Sequence, residues 1–321
     1  MNKIIKIYKV KSFAHTPFCN ANDLEYLEKN GIEITENIKD ADILISQNLK
    51  HLKPYFWKYL GKKKYLVWTL EPRFNTSFQS NKKFLFGLIT CHFMNIYTGD
   101  VFTSGLTFHA HNINKILTPL EGDFNISNKK AVALMSYFKG PESHELMRNG
   151  ENIDLISLRS EIGLFGHERG LIDIYGKGWP NNISMEDSRE GEWKLRKFQI
   201  LNKYAFNLCF ENTISPNYIT EKIWDSIENY CLPIYYGKGN NIFNIFPKKS
   251  FLDYSDFNNP RELFDYIKSM NNLEYIERMN TCIEVYNNIA GTSQDLAWKN
   301  RKGSLDAIVS KSNKLMNSSP I

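Results

Sequence analysis

Short apolar runs of strand length recur along this chain, and between them apolar residues return every three or four positions. The runs are Ile4 to Val10, Ala41 to Ser46, Tyr65 to Thr69, Ala131 to Ser136, Ile172 to Tyr175, Phe206 to Phe210 and Leu232 to Tyr236. They read as buried strands. Helical spacing is expected over Asn22 to Lys29, from Arg159 toward Glu168, from Thr220 to Tyr230 and over Arg261 to Met270, with a helical remainder ending in a polar tail. Strands alternating with helices predict an α/β chain built on parallel sheets.

The most informative stretch is 206–237, which reads as strand, loop, helix, strand. Thr220 stands where an N-cap belongs, Ile223 and Ile227 give the helix its buried stripe, and Gly237 closes the second strand. A unit of this kind brings a helix N-terminus to the carboxyl edge of a parallel sheet, where unpaired N–H groups and the helix dipole favour an anion. Lys222 falls in that first turn. The dipole disfavours a cation there by about 0.3–1 kcal/mol, so either a negative ligand compensates or Lys222 is a surface residue paired with Glu211 or Glu221.

The strings Phe210-Glu211-Asn212-Thr213, Tyr218-Ile219-Thr220-Glu221-Lys222 and Pro233-Ile234-Tyr235-Tyr236-Gly237 resemble the signature of glycosyltransferase family 10, the α-1,3/4-fucosyltransferases. The pattern continues in Phe246-Pro247-Lys248-Lys249-Ser250-Phe251-Leu252 and Asp256-Phe257. Thr213 stands where the family usually has Ser, Lys238-Gly239 where Ser-Pro is common, and Tyr137 where Asn is common after the first donor-domain strand. The resemblance implies a GT-B fold, two Rossmann-like domains facing across a cleft. The first would bind the acceptor and the second GDP-fucose.

It also implies an inverting transfer of L-fucose to a glycan hydroxyl, in α-1,3 or α-1,4 linkage to N-acetylglucosamine or glucose. By resemblance Arg159 and Lys222 meet the donor diphosphate, a task suited to a planar arginine fork. Glu221 meets sugar hydroxyls, Asn212 and Tyr218 approach the donor, Glu211 supports Lys222, and Arg189 and Arg196 are secondary phosphate candidates. No cofactor is required and a divalent cation is optional. Two alternatives stay open: another nucleotide sugar, or a non-catalytic glycan- or nucleotide-binding protein.

Outside the second half, Trp68-Thr69-Leu70-Glu71-Pro72 places a carboxylate just beyond a buried strand, at a sheet's carboxyl edge. Glu71 is the candidate base toward the acceptor hydroxyl, or else a loop carboxylate balanced by Arg73. Asp40-Ala41-Asp42 has the spacing of a metal-nucleotide motif, yet it stands where Asp commonly closes a turn before a strand. His109-Ala110-His111 lacks a third ligand at a recognisable spacing, so no metal site is assigned. Tyr175-Gly176-Lys177-Gly178 lacks the spacing of a phosphate loop and reads as a strand-end turn.

Length narrows the organisation: 321 residues suit two domains. The polar stretch Glu121 to Asn128 puts the boundary at 127/128, with C-terminal helices able to return to the first domain. Forty basic against 35 acidic residues give a net charge of +5, scattered and without a nucleic-acid motif. Five well-separated cysteines form neither a disulfide framework nor a zinc pattern and fit a reducing compartment. Without a signal-peptide core or a membrane-length apolar run, the expectation is a cytoplasmic protein, with peripheral contact to the inner membrane face left open by its scattered lysines.

Overall fold

The computed structural model describes residues 4–11, 13, 16–126, 128–138, 145–187, 192–292 and 294–317, the side chains of His111 and 294–297 excepted. Arg189 and Ser188 therefore lie outside the described residues. Two compact units emerge, Met1–Thr107 with Trp298–Ile321, and Phe108–Ala297.

In the first unit the chain runs β1 (Ile5–Lys9), α1 (Ala21–Lys29), β2 (Ile32–Ile34), β3 (Ile43–Ser46), α2 (Leu49–Tyr59), β4 (Lys64–Trp68), β5 (Asn81–Phe84) and β6 (Ile89–Met94). The sheet order is β2-β1-β3-β4-β6-β5, and β5 is its antiparallel edge. β3 is buried at every position and β4 at all but its first residue, as expected of central parallel strands covered on both faces. Leu52 and Phe56 of α2 pack with Leu44, Tyr65, Val67, Cys91 and Phe93 beneath them. The edge strand β5 carries exposed Lys82 and Lys83, charges that discourage pairing with another strand. Asp40 closes a turn, its N–H bonding the Asn37 carbonyl at 3.1 Å, while Asp42 accepts the Lys6 N–H of β1 at 2.9 Å.

The second unit contains β7 (Ala131–Leu134), a short hairpin of β8 (Met147–Arg148) and β9 (Glu151–Asn152), α3 (Ile156–Glu168), β10 (Ile172–Tyr175), α4 (Trp193–Leu201), β11 (Phe206–Leu208), α5 (Glu221–Glu228), β12 (Leu232–Tyr235), β13 (Leu252–Asp253), α6 (Pro260–Ser269) and α7 (Asn272–Ala290). Its five strands run in the order β10-β7-β11-β12-β13, all parallel. The connection leaving β7 leads to one side of the sheet and that leaving β11 to the other. Strand order thus reverses between these two strands, and a crevice opens at their carboxyl ends. Gly176, at φ +130°, backs against Met135 so closely that a Cβ would lie 2.4 Å from the Met135 carbonyl oxygen. The Tyr175 to Gly178 turn is a packing feature.

The division falls at 107/108, not at 127/128, and α7 supplies the reason. Asn287 bonds both the N–H and the C=O of Leu117, each at 2.8 Å, and Asn280 does the same for Leu120 at 2.7 and 3.0 Å. Two asparagines seven residues apart share a helix face, so together they bind this segment to the second unit. The last helix, α8 (Gln294–Asn317), belongs mainly to the first unit. Its Arg301 bonds Asp23 through Nε at 2.7 Å, Ser304 bonds the Val101 carbonyl at 2.6 Å, and Gly303 lies against Thr103.

Candidate functional site

The loop between β11 and α5 is built around one carboxylate. Glu211 is 3% exposed, and its Oε1 accepts the Thr220 N–H at 2.7 Å and the Tyr235 hydroxyl at 3.2 Å. Its Oε2 accepts the Thr220 hydroxyl at 2.9 Å and Lys222 Nζ at 3.1 Å. The same Thr220 hydroxyl accepts a second bond from Lys222 Nζ, at 2.8 Å. Thr220 holds the N-cap position of α5, but its side chain does not cap the helix; the hydroxyl serves the Glu211–Lys222 pair instead.

Lys222 has a side chain 25% exposed, with Glu221 also within 3.6 Å. Burial works against its charge, but Glu211 and Glu221 outweigh burial and the repulsion of Arg159, and its pKa lies above the ordinary lysine value. Arg159 is 5% exposed and donates from Nη1 to the Phe210 carbonyl at 3.2 Å, which fixes the direction of its fork. Arg159 bonds Phe210 and Lys222 bonds the next residue, Glu211, so the two cations meet at one loop although they stand 63 positions apart in sequence.

Backbone stitching brings them together. Leu155 N–H bonds the Asn212 carbonyl at 3.2 Å, Ile214 N–H bonds the Ile153 carbonyl at 2.9 Å, and the Thr213 hydroxyl bonds the same Ile153 oxygen at 2.8 Å. The start of α3 is thereby tied to the Glu211 loop, across the β7/β11 switch point where physics places a ligand. The threonine in place of serine at 213 keeps the hydroxyl this contact needs.

The remaining predicted residues fall as follows. Glu221 is partly exposed; burial would raise its pKa, but Lys222, Lys197 and His109 outweigh burial and hold the carboxyl well below the usual range. Asn212 contributes the backbone carbonyl just described. Tyr218 is buried and its carbonyl accepts from Asn240 Nδ2 at 3.1 Å, so it shapes the loop from within. Arg196, a phosphate candidate in the sequence, pairs with Glu186, which takes its Nε and, at 2.7 Å, its Nη2. Glu71 is exposed beyond the end of β4, its N–H bonded to the Thr69 hydroxyl at 3.0 Å.

Sequence reasoning gave no site role to Thr220 or Tyr235, although both lie inside the quoted strings. Tyr235 is a fully buried strand tyrosine whose pKa is pushed well up by burial and by Glu211, and a polar ring inside an all-apolar strand is the available signal. Downstream, Phe246 and Phe251 pack on each other, and Phe246 also packs on Trp224 of α5. They support the helix. Beside Glu221 a cavity of about 170 Å³ is lined by Trp224, Asp225 and Glu228 of the same helix, Tyr286 of α7 and His109. Trp224 Nε1 and the Tyr286 hydroxyl are buried there with no hydrogen-bond partner among the described residues. No cluster of three or more His, Cys, Asp or Glu that could hold a metal ion occurs among the described residues.

The two α/β sheets, one of them with an antiparallel edge strand, are those of the GT-B fold class. Over 96% of this chain and 90% of the other, the structure is similar to a crystal structure of an α1,3-fucosyltransferase, with a TM-score of 0.54 at 18% sequence identity. Residues 167–280 match the C-terminal domain of glycosyltransferase family 10 (fucosyltransferase). It is 46% identical over 72 residues to the α-(1,3)-fucosyltransferase FucT of Helicobacter pylori, 22% of this chain and 15% of that one. It is 38% identical over 104 residues to GDP-fucose protein O-fucosyltransferase 3 of Bos taurus, 31% of this chain and 21% of that one. The chain thus spans less than a quarter of the length of these two relatives.

Proposed function

We propose that this protein transfers L-fucose from GDP-fucose to a hydroxyl of a glycan acceptor, inverting the anomeric centre and making an α-1,3 or α-1,4 linkage. The observation that carries the reading is that Arg159 of α3 and Lys222 of α5 bond the adjoining residues Phe210 and Glu211 at the loop beside the β7/β11 switch point. Names of relatives add support: one is an α-(1,3)-fucosyltransferase, and another is named for GDP-fucose.

In this reading the acceptor oxygen forms a bond to the sugar's anomeric carbon as the bond from that carbon to the diphosphate oxygen breaks. The electron pair leaves with GDP, beside Lys222 and Arg159, and the hydroxyl proton passes to Glu71. Fixed cations where charge develops cost no reorganisation during reaction, and one such donor is worth about 2.7–4 kcal/mol. They can carry the charge a divalent ion would, so the ion is optional. Glu221, ionised and acceptor-only, takes bonds from donor hydroxyls. Asn212 and Tyr218 shape the donor loop, and Glu211 keeps Lys222 in place. The acceptor falls to the first unit, with a cytoplasmic setting.

Calorimetry with GDP-fucose, GDP-mannose and UDP-sugars, joined to a turnover screen of acceptors with labelled GDP-fucose, tests the reading. Guanosine-selective binding with transfer to an N-acetylglucosamine- or glucose-containing acceptor is the expected result. Preference for a uridine donor overturns the fucose assignment, and donor binding with no turnover on any acceptor overturns catalysis.

A further inference from the structure

The first unit carries a surface with no part in this chemistry. Trp57, Leu60, Phe86 and Leu88 are 67, 56, 106 and 71% exposed. They come from two segments, α2 with its C-cap and the turn joining β5 to β6, and the fold makes these segments neighbours. Phe84 at the end of β5 packs on Phe56 of α2 with ring centroids 5.3 Å apart. β4 and β6 pair in parallel with Tyr65 opposite Cys91, so Lys62 and Leu88, three residues earlier in each, approach the same end of adjacent strands. A right-handed β3-α2-β4 crossover turns the flank of α2 bearing Lys53, Trp57 and Leu60 toward β6 and β5.

Charge and backbone single this patch out. Lys53, Lys58, Lys62, Lys82 and Lys83 are exposed around it, and no Asp or Glu occurs between Asp42 and Glu71 or from Gln79 to Thr90. At the turn, Leu85 and Phe86 adopt φ of 50° and 55°, and Leu60 adopts 27°. Side chains other than Gly, Asn or Asp rarely take such values, and strained positions cluster where a surface meets something else. Here the strain holds an aromatic ring wholly in water, at the tip of a lysine-bearing edge.

We propose that this patch docks on a membrane surface rich in anionic lipid, with Phe86, Leu88, Trp57 and Leu60 entering the headgroup and acyl boundary and the lysines meeting the lipid charges. Aromatic and aliphatic tips collared by lysine suit that interface, where apolar insertion and attraction to anionic headgroups add. A second copy of the chain fits poorly, because a two-fold contact would set the lysine collar against itself. The inference stands apart from the transfer reaction and needs no donor or acceptor.

Flotation of the full chain with vesicles tests it, comparing phosphatidylcholine alone with phosphatidylcholine carrying about a third phosphatidylglycerol. Binding at least tenfold stronger to the anionic vesicles is expected. Phe86→Ser with Leu88→Ser, and separately Lys82→Glu with Lys83→Glu, should each weaken it about tenfold, with thermal unfolding unchanged because these side chains already face water. Trp57→Ser, on the other segment, should do the same should the turn variants fail to fold. No binding to anionic vesicles, binding undiminished by the apolar substitutions, or a dimer in light scattering that Phe86→Ser abolishes would each overturn the proposal.

Discussion

Lys222 and Glu71 both stand near the carboxyl end of a parallel strand, and their surroundings could hardly differ more. Lys222 is locked by Glu211 and Thr220, with Tyr235 and the α5 backbone holding Glu211 from behind. Glu71 is exposed, and its backbone is anchored by the Thr69 hydroxyl and the Phe74 N–H. A group that must hold a multiply charged diphosphate gains from being oriented before the ligand arrives, since the ordering cost is then met in folding. A base that takes one proton from an incoming hydroxyl needs reach and access, and geometry to its substrate tightens only in the complex. The contrast predicts that damage at the first position appears in donor affinity and at the second in rate.

The largest effect is expected from Lys222→Ala, which removes a charged donor and leaves Glu211 buried with one partner fewer. Donor dissociation constants measured by calorimetry should rise about 100-fold, ~2.7 kcal/mol, and turnover should vanish at ordinary donor concentrations. Glu71→Gln breaks the comparison from the other side: kcat should fall about 100-fold, the low end for a general base, with donor affinity unchanged. Equal turnover in Glu71→Gln would remove that residue from the chemistry. Glu211→Gln keeps the shape but drops the charge, so donor affinity should weaken about tenfold, the scale of one weakened charged hydrogen bond, and the melting temperature should fall.

The smallest effect is a pH dependence that distinguishes the two units. Burial, then Lys311 and Lys64, lower the His92 pKa to about 4. The unfolded chain binds that proton near pH 6.5, so between these values the unfolded state holds more protons, and stability falls as pH is lowered through the window. Glu221 behaves differently: its depressed pKa gives stability that is present above the unfolded value and lost only as pH falls through its lower folded one. Melting scans from pH 7 to 4 should show a decline that His92→Gln flattens and Glu221→Gln leaves in place.

The strand-loop-helix unit around Glu211 was largely legible in the sequence because its signals are local. Glu211, Glu221 and Lys222 stand in fixed strings of one strand-loop-helix unit, and the helix expected from Arg159 starts three residues earlier, at Ile156. What escaped depends on distant partners. Arg196 looks like a phosphate ligand until Glu186 folds onto it, and Tyr235 looks like plain strand until Glu211 reaches it. Pro54 hid α2, because a residue without an N–H is a poor sign of a helix interior, yet Leu52 and Phe56 bury enough apolar surface to hold it. The stretch near the boundary is a related case: a polar run reads as a linker, yet Asn280 and Asn287, some 160 residues later, bind Leu120 and Leu117.

The return of α8 to the first unit has a consequence for biosynthesis. A ribosome delivers residues in order, and lobes ordinarily mature from the amino end. Here Asp23, wholly sequestered in the finished protein, waits for a guanidinium nearly three hundred codons downstream. A sequestered carboxylate lacking its counter-ion is strongly unfavourable, so the lobe translated first is completed last, and a nascent chain halted before Arg301 would carry a finished second unit behind an unfinished first.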